Sequence, residues 1–141
     1  MAAYNITGVI GDGFPIGLFT FTYHLTGLPS DATDETVAAT AGKAVSLDAN
    51  ADVAVKLAGN GDEILGRIYV AENRAAIGGG KVASVARKFK EKLPAADGHG
   101  IVRGDRIVGA GNGLVKKAPA ENTTGPIVIQ TGDTFVVAEK L

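Results

Sequence analysis

A chain of 141 residues is long enough for one domain that buries roughly two thirds of its unfolded surface, so a core is attainable without cross-links. With no cysteine, neither a disulfide framework nor a thiolate metal site can form. Fourteen basic residues against fifteen acidic ones provide no global attraction to nucleic acid or to an anionic membrane.

Twenty glycines with abundant Val and Ala, and little heptad patterning, predict an all-β fold: a compact antiparallel β-barrel or sandwich of short strands with an extended N-terminal arm. No apolar run has the length of a membrane span and no basic-then-apolar leader is recognisable, so a soluble, unprocessed chain is expected.

Residues 1–41 read as an arm and a connection, residues 42–141 as the β-rich domain. The first 29 residues hold Tyr4, Phe14, Phe19, Phe21 and Tyr23, while Gly8, Gly11, Gly13, Pro15 and Gly17 interrupt any regular element. Leu18 to Leu25 alternates, with Phe19, Phe21, Tyr23 and Leu25 on one face and Leu18, Thr20, Thr22 and His24 on the other. That aromatic face either caps the domain's own core or packs on another protein chain, because aromatics dominate cores and interfaces alike. Ser30 to Ala41 is polar and small. Its Asp34–Ala39 centre can make one helical turn but lacks the periodicity of a stable helix, so a surface connection is expected.

The domain is organised around Gly42 to Val70. Val45 and Leu47, then Val53, Val55 and Leu57, alternate with small or polar residues as half-buried strands do. Asp48 to Asn50 supplies Asx turn chemistry between them, Gly59-Asn60-Gly61-Asp62 supplies a second turn, and Ile64 to Val70 opens a third strand. The theme returns at Gly104 to Ala118, where Asn112-Gly113 is a strong hairpin signal. An offset of 62 places Val45 on Ile107, Asn50 on Asn112 and Val53 on Val115. These are two weak copies of one meander unit, too few for a solenoid.

Lys81 to Leu93 fits both helical and strand spacing. The preceding glycines and the β-branched start favour one strand, with Lys88, Lys90 and Lys92 on a shared face. Pro94 to Gly100 and Ala118 to Gly125 read as loops, Ile127-Val128-Ile129 as a buried strand, Thr131-Gly132-Asp133 as a turn and Thr134 to Ala138 as the closing strand.

The motifs do not converge on a reaction. Gly78-Gly79-Gly80-Lys81 lacks the Ser or Thr and the helix of a phosphate-binding loop, and reads as a turn. The glycines from Gly109 to Gly113 have no βαβ context and fail as a dinucleotide fingerprint. His24 and His99 have no metal-ligand spacing. Ser30, Ser46 and Ser84 sit in no nucleophile elbow, which argues against an acyl-transfer triad. Asp62, Glu63 and Asp105 adjoin turn glycines, where carboxylates serve local hydrogen bonds. Arg103-Gly104-Asp105 spells an adhesion tripeptide but is read as the turn into the Ile107 strand. Asn5-Ile6-Thr7 and Asn122-Thr123-Thr124 match a glycosylation sequon that matters only in a secretory pathway. Lys81, Arg87, Lys88, Lys90 and Lys92 concentrate positive charge: either a lysine-guarded edge strand or a contact with an acidic protein surface, with nucleic acid disfavoured because only Phe89 is interleaved.

The order of the blocks carries a resemblance. Gly42-Lys-Ala-Val-Ser-Leu-Asp, Val55-Lys-Leu-Ala-Gly-Asn-Gly-Asp-Glu-Ile-Leu-Gly-Arg, the Gly80-Lys-Val-Ala-Ser-Val-Ala strand, Val102-Arg-Gly-Asp-Arg-Ile-Val-Gly-Ala-Gly-Asn-Gly-Leu-Val-Lys-Lys-Ala and a closing Val-Ile strand together resemble the small capsid decoration (head cement) proteins of tailed bacteriophages. The likeness covers residues 42–141. It implies a structural protein, not an enzyme and without cofactor or metal, on the outer surface of the virion capsid and made in the host bacterial cytoplasm. It further implies that the major capsid protein is the partner and that the chain self-associates, a homotrimer before a homodimer because head lattices offer three-fold sites, with neither nucleic acid nor membrane bound. Phe14, Phe19, Phe21, Tyr23, Arg87, Lys88 and Lys90 are the expected interface residues. Two competing readings are a glycan- or ligand-binding β module for host attachment, which would show an aromatic platform, and a small β-barrel hydrolase, which would bring Asp62, Asp105 or Asp133 together.

Overall fold

Residues 20–141 are described in a computed structural model, and their regular structure is almost wholly β, as expected. In chain order the strands are β1 (Thr20–Thr26), β2 (Ala44–Leu47), β3 (Ala54–Leu57), β4 (Gly66–Asn73), β5 (Lys81–Ala86), β6 (Phe89–Pro94), β7 (Ile107–Gly111), β8 (Leu114–Lys117), β9 (Ile127–Thr131) and β10 (Phe135–Lys140). One helix, α1 (Asp34–Ala38), and a 3₁₀ turn (Ala75–Ile77) complete them.

Five strands close a barrel in the order β1-β3-β2-β4-β5, with β5 returning to β1. All pairings are antiparallel except β1 with β3. The period-two pattern explains the closure, because Leu25, Val45, Val55, Ile68, Ala71, Ala83 and Val85 form one buried cluster. In the row Tyr23–Ala83–Ala71, two alanines sit beside one large ring, so the narrow interior is filled without overpacking. Asx chemistry closes the β2–β3 turn: the Asp48 carboxylate accepts from the Asn50 amide at 3.0 Å and from the Thr26 hydroxyl at 2.6 Å.

Of the segment 1–41, residues 1–19, with Tyr4, Phe14, Phe19 and the Asn5 sequon, lie outside the described residues. Residues 20–41 belong to the barrel. Thr20–Thr26 is a stave, and α1, capped by the Thr33 hydroxyl accepting from the Thr36 amide, buries Val37 completely in the barrel core. One fully buried Val contributes about 1.5–3 kcal/mol, which anchors a helix too short to persist alone.

The predicted single strand over Lys81–Leu93 is two strands in two sheets. Val85 points into the barrel core, whereas Ala86 and Phe89 both enter a second core. A continuous strand would put Val85, Arg87 and Phe89 on one face, so the chain turns at the exposed pair Arg87-Lys88. Lys88 therefore lies at this corner and does not share a strand face with Lys90 and Lys92. The second core is built by the sheet β9-β10-β6 and the hairpin β7–β8 around Phe89, Leu93, Ile101, Ile107, Val115, Val128 and Val136. Ala44, Ala58 and Ala86 present small side chains to it from the barrel wall. Ile127-Val128-Ile129 is not a buried strand, since only Val128 is inside and both isoleucines remain partly exposed on β9.

The two meander copies are both hairpins, although β2 and β3 are joined by residues 48–53 and β7 and β8 by the tight turn Asn112-Gly113. The positive φ of both Asn112 (53°) and Gly113 (76°) makes the latter a type I′ turn. The copies face each other through backbone. Gly113 donates to the Ala58 carbonyl at 3.1 Å and accepts from the Ala44 amide at 3.0 Å, while Gly109 donates to the Asp62 carbonyl and accepts from the Gly61 amide, both at 2.8 Å.

His99 closes the far side. Its Nδ1 accepts from the Ile101 amide at 2.9 Å, so Nε2 carries the proton and donates to the Gly132 carbonyl at 2.8 Å. This clasps the loop before β7 to the β9–β10 turn.

Gly109→Ala tests the junction. A Cβ there would strike the Gly59 carbonyl, so overpacking and two disturbed hydrogen bonds should cost roughly 2–4 kcal/mol in urea unfolding. The exposed substitution Ala120→Ser should stay within about 0.5 kcal/mol.

Candidate functional site

The antiparallel register of β1 with β5 sets Thr20 against Ala86 and Phe21 against Val85. The start of β1 and the corner Arg87-Lys88 therefore meet at one end of the barrel, where the chain enters the described body. Phe21, Tyr23 and Leu25 share the inward face, and burial grades along it. Leu25 is buried, Tyr23 packs on the core, and Phe21, in the last inward row with Val85 and Ile68, keeps 56% of its surface exposed. The aromatic face thus caps the core at one end and is free at the other.

Arg87 and Lys88 are both exposed at this corner. Lys140, at the end of β10, is paired in register with Phe89, and its Nζ donates to the Arg87 carbonyl at 3.3 Å. Burial lowers the Lys140 pKa, and the Arg87 and Lys88 charges lower it further, opposed by Glu63. Lys90 lies farther along β6, exposed and in register with Glu139, and Lys92 sits 4.5 Å from the centre of the Phe135 ring. Since β6 is an edge of its three-stranded sheet, Lys90 and Lys92 occupy positions where lysine discourages pairing with another chain. The structure thus brings Phe21, Arg87 and Lys88 to one end, leaves Lys90 on the sheet edge, and does not describe Phe14 or Phe19.

Beside the corner lies an open cleft of about 500 Å³. Leu47, Leu65, Arg87 and Lys140 line it together with the Lys56–Asp62 pair and Glu63. Lys140 carried no signal in the sequence and Glu63 read only as a turn carboxylate, because they meet Arg87 only through the β6–β10 pairing and the course of the chain before β4.

The carboxylates serve their own turns. Asp62 accepts from the Gly59 amide at 2.9 Å and from the Ser46 hydroxyl at 3.1 Å, with Lys56 Nζ at 3.4 Å. The Gly59 hydrogen bond is the main reason that its pKa lies below the ordinary value, with Ser46 and Lys56 adding to the shift against burial. Asp105 accepts from the Val102 amide at 2.9 Å and pairs with Lys117 at 3.4 Å, so the carboxylate of the Arg103-Gly104-Asp105 tripeptide is engaged within its turn. Asp133 is exposed on the β9–β10 turn. Gly78 to Gly80 form the β4–β5 connection, with Gly78 in the left-handed conformation after the 3₁₀ turn. Among the described residues no group of three or more His, Cys, Asp or Glu side chains is placed to hold a metal ion, and no helix is long and apolar enough to cross a membrane.

No protein-family model matches the sequence, and comparison with curated proteins finds no match.

The depressed Asp62 pKa sets an acid limb for stability. A carboxyl whose folded pKa lies below its unfolded value stabilises above the unfolded pKa, and that stabilisation is lost as pH falls through the folded value. Asp62→Asn should therefore lower the urea midpoint at neutral pH and narrow its gap to the parent chain below about pH 4.

Proposed function

We propose that this chain is a structural virion protein that binds the outside of an assembled phage capsid, bridges neighbouring major capsid subunits and so stabilises the expanded head. The observation that carries the reading is the meeting of exposed Phe21 with Arg87 and Lys88 at the barrel end where residues 1–19 join. The block order over residues 42–141 supplies the partner class, through its resemblance to phage decoration proteins.

The mechanism is linkage. A protein that binds the assembled lattice and not its loose subunits stabilises the lattice by mass action, and weak contacts repeated within an oligomer reinforce one another through effective concentration. At the barrel end, Phe21 supplies an apolar anchor and Arg87 and Lys88 supply charge around it, an arrangement common at interface hot spots. For residues 1–19, strand addition to a shell edge is the contact proposed.

A chain lacking residues 1–19 keeps β1, hence the barrel, and separates binding from folding. Particles without the protein should lose DNA at a lower temperature, and adding the intact chain should restore the midpoint. The truncated chain and Phe21→Ala should restore less, each keeping its own unfolding midpoint within about 1 kcal/mol of the parent. Full restoration by the truncated chain would remove the arm from the mechanism. Retention on a glycan array with none on particles would favour a carbohydrate platform, for which exposed Tyr69 and Phe21 supply rings.

A further inference from the structure

The cleft beside the corner is built unlike a solvated surface. Lys140 is partly withdrawn from water, with its Nζ at the Arg87 carbonyl and the Arg87 charge close by. Of the two carboxylates that line the cleft among the described residues, Asp62 is occupied by Gly59, Ser46 and Lys56, which leaves Glu63. No ion pair forms at Arg87 or Lys140 among the described residues. Like charges gathered around a desolvated amine are unfavourable alone and become favourable when an anion arrives.

We propose that this cleft receives an acidic segment of a protein partner, with carboxylates on Arg87 and Lys140 and an apolar side chain against Leu47 and Leu65. This deepens the capsid reading and rests on it for the partner: the segment would belong to the capsid subunit beneath the barrel end.

Three features select a peptide over a small anion or a nucleic acid. The cleft, about 500 Å³, has the size of sites that enclose a short chain of groups, whereas a single phosphate fills a fraction of it. Leu47 stands 59% exposed on its rim, an apolar contact that inorganic anions leave uncovered. Glu63 within the lining repels a polyphosphate backbone but accepts hydrogen bonds from peptide N–H groups, and among the described residues no aromatic ring lines the cleft for base stacking. Arg87 presents a planar fork suited to a carboxylate, while Lys140 offers a point charge behind it.

The test uses the full chain and a capped peptide, Glu-Leu-Glu-Leu-Glu, followed by amide NMR. The peptide should shift the resonances of Leu47, Glu63, Arg87 and Lys140, and rising salt should weaken it. Arg87→Gln combined with Lys140→Gln should weaken binding about tenfold or more, equivalent to about 1.4 kcal/mol, while Arg103→Gln, exposed and outside the cleft, should change it less than about twofold. Arg87→Gln alone, on an exposed corner, keeps the test available if Lys140→Gln disturbs packing. The inference is overturned if the peptide causes no shifts at millimolar concentration, if Gln-Leu-Gln-Leu-Gln or inorganic phosphate shifts the same amides equally, or if Arg103→Gln weakens binding as much. Loss of peptide binding by a chain that still restores particle stability would sink the cleft and leave the capsid reading standing. Peptide binding by a chain that restores nothing would do the reverse.

Discussion

The fold depends on two hairpins brought close enough to share backbone hydrogen bonds. The barrel has one core and the C-terminal strands another, and neither is large. What makes them one body is the contact of Gly109 and Gly113 with Ala44, Ala58, Gly61 and Asp62, four backbone hydrogen bonds in a small area. Such an approach requires glycine. A Cβ at Gly113 would lie 2.8 Å from that of Lys43, and its positive φ disfavours any L side chain. The bulge between Gly109 and Gly111 takes the strand out of plain register beside that contact, in keeping with bulges as devices that re-aim a strand.

That junction determines where the surface chemistry falls. Because β5 belongs to the barrel and β6 to the second sheet, the link between them has to turn where the two cores meet. Arg67 secures the same seam, its Nε donating to the Lys92 carbonyl at 2.8 Å. The corner residues Arg87 and Lys88 are thereby held on a firm scaffold beside the entry to β1, with Lys140 beneath them. Binding residues carried on a pre-formed end lose little freedom when a partner arrives, which favours affinity from few contacts. The proposed capsid-binding role asks for no more than this.

Much of this was legible in the chain, and the failures share one cause. Strand alternation located the barrel staves, and Asn112-Gly113 marked the second hairpin, because both signals depend on near neighbours. The use of Asp48, Asp62 and Asp105 in turns followed from short carboxylates beside glycine for the same reason. Lys81–Leu93 reads as one strand because nothing local distinguishes one core from two. Val85 and Phe89 are both buried, but in different clusters. Val37 looked like one apolar residue in a polar connection, and only the barrel gives it a cavity to fill. Ile127 and Ile129 looked buried since β-branched runs usually are, whereas β9 lies at a sheet edge. The cleft residues Glu63 and Lys140 are 77 positions apart, and although Glu63 read as a turn carboxylate, no local pattern links the two.

Hydrogen–deuterium exchange of the chain, free and bound to capsid particles, addresses the central claim most directly. Binding at the barrel end predicts new protection over residues 20–23 and 85–88, with no change at Gly109 and Gly113, whose bonds are already made. Protection confined to β9 or the β4–β5 turn, or none on particles that retain the chain, would contradict it.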